Sequence, residues 1–320
     1  MILEKSKIDN HTACKKACRP YLKGIMATYE PAVVALGMFD GVHLGHRALM
    51  SRLLEEAKRL NAVPVVFTFS NHPLEVLGGN VRLLSGIRER NMMLRTLGAQ
   101  EVESVPFTRE MAHLSTEQFI DMLSEKWDVR GLVVGYNYTC GDRGVGTPET
   151  LRKIGQKRGF TVSVVEPVLL EGEPVSSTRI REAVERGDVT LAEQLLKRRY
   201  TLSGTVIQNK RIGRRIGFPT ANIEANPKRA IPADGVYAAF AFVDGGVYRA
   251  VTNIGTNPTV NGTKLTIETH LIDFNSDIYG QQLTVAFRKR LRGELMFDSL
   301  EALKEQIRLD VAEAAELKGS

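Results

Sequence analysis

From Ala32 to about residue 167, short apolar runs alternate along the chain with longer amphipathic stretches. The short runs predict buried strands, and the stretches, in which apolar residues recur at helical spacing, predict covering helices. The predicted strands are AVVALG (32–37), VPVVFTF (63–69), 101–106, GLVVG (131–135) and TVSVVEP (161–167), and the predicted helices are 44–60, 86–97, 115–126 and 148–158. Repeated βα units of this length imply a doubly wound parallel sheet, whose ligands bind beyond the C-terminal strand ends.

The pattern changes after about residue 190, where LAEQLLKRR (191–199) predicts a closing helix. Strand-like runs separated by glycine, proline and asparagine turns follow and predict an antiparallel barrel or sandwich. These runs are TLSGTVI (201–207), GVYAAFAFV (235–243), VYRAVTNIG (247–255), KLTIETHLIDF (264–274) and QLTVAFRKRL (282–291). A last amphipathic helix near 299–317 is expected to pack on the barrel through Leu300, Leu303, Ile307, Val311 and Ala314.

The length of 320 residues, with 43% hydrophobic and 25% charged residues, suits about two domains with substantial cores. We expect a mobile extension over 1–30, a first domain over 31–198 and a second over 199–320. No apolar run reaches the roughly 18 residues that cross a bilayer, and the lysines near the N-terminus are not followed by the apolar core of a secretory signal. A cytoplasmic location is therefore predicted.

Three cysteines, at positions 14, 18 and 140, are too few and too scattered for a disulfide scaffold, which agrees with a reducing compartment. His11, Cys14 and Cys18 could hold a metal if they met on a helix. A fourth ligand is missing there and the segment is polar and basic, so a mobile tail is the alternative.

The formal charge of +6 and the pI near 9.2 raise the question of a nucleic-acid partner. The cations are spread along the chain, with small clusters at Arg179/Arg181, Lys197–Arg199 and Lys210–Arg215, and the same excess suits a small polyanion such as ATP. The basic loop lacks interleaved aromatic residues and any RNA-binding module. We expect no nucleic-acid and no membrane partner; an oligomer is compatible with the sequence but is not predicted.

The segment GMFDGVHLGHRALM (37–50) takes a strand through a glycine turn into a helix. His43 and His46 then stand at the start of that helix, where free backbone N–H groups and the helix dipole favour a phosphate. Gly41 and Gly45 would let the backbone approach a nucleotide closely. The alternative is a solvent-exposed loop with incidental histidines, and zinc lacks a third ligand nearby.

The decapeptide GMFDGVHLGH resembles the signature of the HxGH nucleotidylyltransferase superfamily, and its FDGVH form is similar to that of the bacterial bifunctional riboflavin kinase/FMN adenylyltransferases. This resemblance implies that the histidines stabilise charge on the transferring and leaving phosphates of ATP without a covalent intermediate. The attacking phosphate of FMN is already ionised, so the enzyme lowers the activation barrier mainly by positioning the reactants and neutralising charge. The implied catalytic residues are His43 and His46, and the implied ATP-phosphate residues are Gly37, Phe39, Asp40, Gly41, His43, Gly45 and His46.

A second match is PVSSTRIREAVERGD (174–188), whose hydroxyls can cap a helix and whose arginines offer planar forks to phosphate. Alone, this pattern is more typical of a capped surface helix. Downstream of HxGH in a chain of βα units, it resembles the second ATP-phosphate element of the family. The residues concerned are Ser176, Ser177, Thr178, Arg179 and Arg181.

Two further segments carry the resemblance with departures. TFSNHPLEVL (68–77) is similar to the family's T-F-x-P-H-P segment, with Asn71 where proline is common. VVGYNYTCGDRGVG (133–146) resembles G-x-D/N-F-x-F-G, with tyrosine and cysteine in place of the two phenylalanines. The resemblance implies flavin contacts from His72, Pro73 and Asn137. The alternative for Asn137 is that it only forms a turn.

The segment GTVIQNKRIGRRIGFPTANI (204–223) joins a strand to a basic, glycine-containing loop. Such a loop suits a polyphosphate, and the hydroxyl of Thr220 beside the carboxamide of Asn222 can complete the oxygen shell of Mg²⁺. A basic hairpin with a proline turn is the alternative.

GRRIGFPTAN (213–222) is similar to the riboflavin kinase signature G-R-x-L-G-F-P-T-A-N, and segments up to Asp310 match the rest of that module in order, with Asn257 where arginine is common. The resemblance implies ATP or flavin contacts from Gly213, Arg214, Gly217, Phe218, Pro219, Thr220, Asn222 and Asn253.

Glu268 is the candidate general base. It lies in the alternating strand T-I-E-T-H-L, where Ile267 and Thr269 face the opposite side, so its carboxylate could point into a cleft. Phosphorylation of the terminal ribityl hydroxyl of riboflavin removes a proton from a neutral alcohol, which a positioned carboxylate can accept. The alternative is a surface glutamate in an ion pair.

The sequence thus predicts an α/β plus β protein: a doubly wound, Rossmann-like nucleotidylyltransferase domain and an antiparallel β-barrel riboflavin kinase domain with a C-terminal helix. The expected activity is ATP- and Mg²⁺-dependent conversion of riboflavin to FMN and of FMN to FAD, with flavin as substrate and product. A kinase whose N-terminal domain is degenerate, or a nucleic-acid-binding regulator, is the alternative.

Overall fold

The computed structural model describes residues 29–208, 213, 216–259 and 262–316, with the side chains of 257–259 and 262–264 left aside. Several expectations therefore lie outside the described residues: the metal site of His11, Cys14 and Cys18, most of the extension, and the phosphate contact of Arg214. Within the described ranges, no helix combines the length and the apolar character needed to cross a membrane.

The N-terminal domain is a five-stranded parallel sheet in the order β3-β2-β1-β4-β5. Its strands are β1 (Pro31–Leu36), β2 (Val63–Phe69), β3 (Glu101–Val105), β4 (Asp128–Gly135) and β5 (Thr161–Val165). Its helices are α1 (Leu44–Leu60), α2 (Pro73–Val76), α3 (Ile87–Thr96), α4 (Arg109–Ala112), α5 (Thr116–Ser124) and α6 (Pro148–Arg158). One face of the sheet packs on α1 and α3 and the other on α5 and α6, which confirms the doubly wound prediction.

The strand order reverses between β1 and β4, so these neighbours diverge into loops on opposite sides of the sheet. Ligands of such sheets bind in the crevice beyond the strand ends at this switch point. Gly37 and Gly135, at the ends of β1 and β4, both line a cavity there. The fold therefore places the HxGH loop, which follows β1, at the position expected for a binding site.

The C-terminal domain is a closed antiparallel barrel in the order β10-β11-β12-β9-β8-β13. Its strands are β8 (Thr201–Ile207), β9 (Ala221–Ala225), β10 (Gly235–Val243), β11 (Gly246–Thr259), β12 (Gly262–Leu271) and β13 (Gln282–Arg292). Of the two predicted architectures, barrel and sandwich, the structure has the barrel. The predicted last helix is α9 (Leu300–Glu316), whose buried Ala314 packs on Val236, Ala238 and Val251 of the barrel wall.

A short hairpin, β6 (Leu169–Leu170) and β7 (Glu173–Pro174), leads into α7 (Ser177–Glu185) and α8 (Val189–Leu196). These two helices share one apolar cluster with the barrel, in which Ile180 and Leu195 lie with Tyr200 and Phe287. The apolar core is continuous across the predicted boundary after residue 198. The two domains therefore differ in strand topology, one being a parallel sheet and the other an antiparallel barrel, but a shared apolar core joins them.

Leu53 and Leu54 are neighbours on α1 that test the packing of the sheet. Leu53 is fully buried, whereas Leu54 is 37% exposed. We expect Leu53→Ala to lower the free energy of unfolding by about 2–5 kcal/mol, because it leaves a cavity, and Leu54→Ala to lower it by less than about 1 kcal/mol. Urea titrations of the two variants measure the difference, and equal losses would contradict this packing.

Candidate active sites

The HxGH loop lines a cavity of about 370 Å³ beyond the carboxyl ends of β1, β4 and β5, here called the histidine cavity. Residues from five separate chain segments meet there. Of the sequence-predicted residues, those that line it are Gly37, Asp40, His43, Gly45, His46, His72, Asn137, Ser176, Ser177, Thr178 and Arg181. The structure therefore brings most of the predicted adenylyltransferase residues, which are up to 144 positions apart in sequence from Gly37 to Arg181, to one place.

His43 caps the N-terminus of α1. Its Nδ1 accepts hydrogen bonds from the backbone N–H of Gly45 at 3.1 Å and of His46 at 3.4 Å. An imidazole nitrogen that accepts cannot carry the proton, so the neutral ring carries it on Nε2. The cap thus leaves Nε2–H of His43 as the ring's donor.

The two histidine rings are stacked, with their centroids 3.7 Å apart and their planes at 21°. Burial lowers the pKa of His43 from 6.5 to about 4, with Asp40 opposing the shift and Arg181 adding to it. Burial, and after it the neighbouring His43 and Arg90, lowers the pKa of His46 well below its usual range. Both rings are therefore neutral hydrogen-bond donors at pH 7.

Asp40 is 1% exposed, and donors on three sides satisfy its carboxylate. The backbone N–H groups of Leu84 and Ser85 donate at 3.0 and 3.1 Å, and Arg181 Nη2 donates at 2.8 Å. Ser177 Oγ donates to the backbone oxygen of Asp40 at 2.9 Å. The predicted phosphate residue Asp40 thus positions Arg181 and the start of α7.

The segment Ser176–Arg181 forms the first turns of α7, as its capping pattern predicted. Ser176 Oγ accepts from the N–H of Arg179 at 3.2 Å, so α7 begins at the cavity. The N-termini of α1 and α7 therefore both direct the positive ends of their helix dipoles toward the same space. This arrangement suits an anion with more than one phosphate.

Three predicted phosphate residues lie outside the lining of the histidine cavity as the described residues form it, so their contacts with phosphate stay predictions. Arg179 turns to the β6–β7 hairpin, where it donates to Leu170 O at 3.0 Å and pairs with Glu173 at 3.0 Å. Phe39 is fully buried in the core beneath the loop. Gly41, at a φ of +82°, packs against side chains of the core, and its conformation is one that L side chains rarely adopt.

Arg90 is a buried cation near the histidines that no sequence motif marks. It is 1% exposed and donates to Met38 O at 3.1 Å and to Phe69 O at 2.5 Å, at the carboxyl ends of β1 and β2. Its charge helps to keep the pKa of His46 low. The sequence pattern of its helix did not mark Arg90 as a site residue, because its hydrogen-bond partners are backbone oxygens distant in sequence.

A larger cavity of about 930 Å³ adjoins the first and shares Gly37 and Tyr138 with it; we call it the aromatic cavity. Rings from four different segments line it: Phe69, Phe107, Phe119 and Tyr138. Phe69 and Phe107 meet edge to face with centroids 5.0 Å apart. Pro73 lines this cavity, whereas His72 caps α2 through Nδ1 and lines the histidine cavity.

Of the three departures from the family pattern in this domain, Tyr138 and Cys140 line the aromatic cavity, and Asn71 contacts Phe107 behind it. The side chain of Asn71 donates to Phe107 O at 3.0 Å and accepts from Phe107 N–H at 2.7 Å, so it fixes the loop that carries that ring. Cys140 lines the cavity beside the partly buried Tyr138, and burial raises the pKa of the Cys140 thiol to about 11. Position 140 therefore has no ring, but Phe69 and Phe107 supply rings to the same cavity.

The barrel carries a third cavity of about 510 Å³ between its wall, the loop before β9 and the start of α9; we call it the barrel cavity. The predicted kinase residues that line it are Gly213, Phe218, Thr220, Asn253 and Glu268. Thr220 and Pro219 also line an adjoining polar cavity of about 380 Å³ with Asn275, Ser276 and Asp277. Thr220 therefore stands where two cavities meet.

Glu268 lies in a row of three polar residues across adjacent strands. It pairs in register with Asn222 of β9 on one side and with Asn253 of β11 on the other, so the three share one face of the sheet. Ile267 and Thr269 are buried and face the barrel interior, which confirms the predicted alternation. Asn222 is 8% exposed and neighbours the cavity through this row.

The loop before β9 is closed by two contacts. Phe218 N–H donates to Gly213 O at 2.9 Å, and a Cβ at Gly213 would collide with Phe218 O, so this position needs glycine. His270 Nδ1–H donates to Pro219 O at 2.8 Å, which ties β12 to the segment that carries Thr220. Gly217 is exposed at a φ of +91° in the turn between them.

The barrel residues fit a magnesium ion by the chemistry of their donors. Mg²⁺ prefers oxygen ligands and keeps water and substrate phosphates in its shell. Thr220, the residue before β9, offers a hydroxyl at the cavity, and Asn222, the second residue of β9, offers a carboxamide oxygen. No cluster of three or more His, Cys, Asp or Glu side chains suited to a metal occurs among the described residues.

Comparison with known proteins follows this division of the chain. A riboflavin kinase family model matches residues 196–318, and an FAD synthetase family model matches residues 25–179. A Bacillus subtilis (strain 168) protein named bifunctional riboflavin kinase/FMN adenylyltransferase is 38% identical over 290 residues, which cover 88% of this chain and 91% of that protein. The chain belongs to the bifunctional riboflavin kinase/FMN adenylyltransferase family.

Other members of the family give the same coverage. Proteins of that name from Pseudomonas fluorescens and Escherichia coli (strain K12) are 38% and 37% identical, each over 92% of this chain and 96% and 95% of their own length. A solved Streptococcus pneumoniae structure, described as a macrolide-efflux protein, is 31% identical with a TM-score of 0.85 and covers 90% of this chain and 95% of its own. The fold is thus shared over nearly the whole chain.

The low pKa of His43 predicts a pH dependence of stability. Its folded pKa of about 4 lies below the 6.5 of the unfolded chain, so as the pH falls below about 6.5 the unfolded chain binds a proton that the folded protein cannot. The contribution of His43 to the free energy of unfolding is complete above pH 6.5, and about 2 kcal/mol of this contribution is lost between pH 7 and pH 5.

Urea titrations of the wild type and of His43→Asn at both pH values measure this term. Asparagine keeps an N-cap acceptor but has no titrating group, so we expect a smaller loss in the variant. Equal losses in the two proteins would contradict the assigned pKa.

Proposed function

We propose that this chain phosphorylates riboflavin with ATP to give FMN and ADP, and then adenylylates FMN with a second ATP to give FAD and pyrophosphate. Family membership over nearly the whole chain supports both steps. The observation that carries the proposal is that each domain pairs two adjoining cavities: the histidine and aromatic cavities share Gly37 and Tyr138, and the barrel and polar cavities share Thr220. Each pair can hold a nucleotide and a flavin side by side.

In the adenylylation step, a phosphate oxygen of FMN attacks the α-phosphorus of ATP, and the bond to the bridging oxygen breaks to release pyrophosphate. The attacking phosphate is ionised at neutral pH, so no base is assigned. His43 and His46 donate neutral N–H groups to the phosphates, and Arg181 and the N-termini of α1 and α7 add positive potential. Neutral donors favour charge that develops in the transition state without holding the product pyrophosphate as an ion pair.

For FMN, the aromatic cavity is the proposed site of the flavin ring. Its rings from Phe69, Phe107 and Tyr138 offer faces and edges to a planar aromatic system. Because this cavity meets the histidine cavity at Gly37, the FMN phosphate can reach the α-phosphate of ATP while the ring stays behind. His72 and Asn137 line the junction on the nucleotide side and remain predicted flavin contacts.

In the kinase step, Glu268 accepts the proton of the terminal ribityl hydroxyl, whose oxygen attacks the γ-phosphorus of ATP as ADP departs. Asn222 and Asn253 flank the carboxylate in the same row and orient it. Thr220 and Asn222 would hold Mg²⁺, which when bound neutralises charge on the transferred phosphate. The loop of Gly213, Gly217 and Phe218 would cover the nucleotide.

The cellular setting follows from the chemistry and remains a prediction. Both steps consume ATP, and free thiols agree with a reducing compartment, so the cytoplasm is the expected location. Neither a nucleic acid nor a membrane is expected as partner. Filter binding of RNA in salt titrations tests the first of these expectations, since sub-micromolar, salt-sensitive affinity would contradict it.

His46→Ala tests the adenylylation site. We expect FAD formation to fall by at least about 100-fold, because a donor to the developing phosphate charge is lost, while FMN formation changes by less than about twofold. A time course from riboflavin, with FMN and FAD resolved by chromatography, measures both steps in one protein. Wild-type protein given FMN, Mg²⁺ and ATP that forms no FAD would leave only the kinase activity.

Glu268→Gln tests the kinase site, with Glu224→Gln on the neighbouring strand as the matched control. Glu224 is exposed on β9, whereas Glu268 lies in the barrel cavity. We expect Glu268→Gln to slow riboflavin phosphorylation by about 100-fold or more and to leave adenylylation of supplied FMN unchanged, and Glu224→Gln to change neither. Undiminished kinase turnover in Glu268→Gln would remove this residue from the role of base.

A further inference from the structure

The segment Leu83–Gly86, which precedes α3, joins the sheet domain to the barrel. Leu83 N–H donates to Lys228 O at 2.6 Å, and Ala230 N–H donates to Leu83 O at 3.0 Å. These bonds form a short parallel bridge between Leu83 and Arg229. Leu84 and Ser85 are each 1% exposed, so the segment is fixed by packing as well as by hydrogen bonds.

Arg229 holds this junction from the barrel side. Its side chain is 11% exposed, and its Nη2 donates to Leu84 O at 2.8 Å and to Thr201 O at 2.9 Å. Its Nη1 donates to the carboxylate of Glu89 at 3.2 Å, and that carboxylate also accepts from the N–H of Gly86, which fixes the start of α3. The planar guanidinium thus binds three acceptors with different directions, as only an arginine can.

The carbonyl of Leu84 and the N–H of Ser85 belong to one peptide group. The carbonyl accepts from Arg229, and the N–H donates to the carboxylate of Asp40 at 3.1 Å. A cation at one end of a peptide dipole and an anion at the other polarise it in the same sense, which strengthens both bonds. Since the peptide is planar and rigid, moving one end also moves the other.

Asp40 carries this contact into the histidine cavity. Its carboxylate pairs with Arg181, whose guanidinium lines the cavity, and its charge acts on His43. Two hydrogen bonds and one ion pair therefore connect a barrel residue to the groups proposed to act on ATP. Arg229 itself lies outside the lining of this cavity in the part of the chain that the structure describes.

We propose that Arg229, a residue of the kinase barrel, is a positioning residue for adenylyl transfer. It acts through the Leu84–Ser85 peptide on Asp40, and through Asp40 on Arg181. This inference rests on the proposed function of the histidine cavity. A displacement of about 1 Å at a phosphate-binding group can cost up to about 100-fold in rate, so the loss of one anchor at this distance is measurable.

The test compares Arg229→Met and Arg229→Lys with Arg288→Met. Arg288 also extends from the barrel to the helices before it, where it pairs with Glu193 at 2.7 Å, but it has no contact with the Leu84–Ser85 peptide among the described residues. Both activities of each full-length variant are measured with Mg²⁺, ATP and either riboflavin or FMN. Thermal melts set an assay temperature at which all of the variants are folded.

For Arg229→Met, we expect kcat of FAD formation to fall about tenfold or more, KM for FMN to change by less than about twofold, and kinase turnover to stay within about twofold. Arg229→Lys should recover part of the loss, because an ammonium group can still donate to Leu84 O but cannot bind all three acceptors. Arg288→Met should leave both activities within about twofold. A general loss of stability would lower both activities, so it would not produce this difference between FAD formation and kinase turnover.

Three results would overturn the proposal: FAD formation within twofold of the wild type in Arg229→Met, equal loss of both activities in that variant, or the same split in Arg288→Met. A wild-type protein that makes no FAD would instead overturn the proposed adenylylation itself, and the role of Arg229 with it. The two failures are therefore distinguished by the wild-type assay.

Discussion

A single buried carboxylate, that of Asp40, organises the histidine cavity. An ionised group that is 1% exposed is tolerated only where donors replace its water, and here backbone N–H groups and Arg181 do so. The donors come from the segment before α3 and from α7, and the carboxylate comes from the loop after β1. Satisfying one charge thus brings three distant parts of the chain into contact beside the cavity.

The balance of charge in the same cavity suits an anion. Burial lowers the pKa of both His43 and His46, so the rings are neutral. The charge of Arg181 is paired with the carboxylate of Asp40, and Arg90 is a further cation beneath the strand ends. Helix N-termini add partial charges that need no counter-ion. In the proposed function, ATP would be held here mainly by fixed dipoles and hydrogen bonds, whose directions are set by the fold before substrate arrives.

Local patterns in the sequence predicted most of the fold, because they depend on near neighbours. The predicted bounds of α1 (Leu44–Leu60) and β2 (Val63–Phe69) match those observed. The strand β9 was missed, since its ladder to β12 is a long-range contact and its own five residues carry a weak alternation. For the same reason no motif revealed Arg90 or Arg229, whose partners are backbone oxygens far away in sequence.

The two sites depend on the junction between the domains to different degrees. Glu268, Asn222 and Asn253 lie in neighbouring strands of one closed barrel, and α9 lines the adjoining cavity, so the residues proposed for the kinase step all follow residue 199. The histidine cavity instead uses Asp40, whose donors are anchored by Arg229 across the junction. A change at the junction therefore has a hydrogen-bonded route to the groups proposed for the second reaction, through the Leu84–Ser85 peptide and Asp40. In a chain that performs both reactions, this asymmetry makes the barrel part of the structure that supports adenylylation.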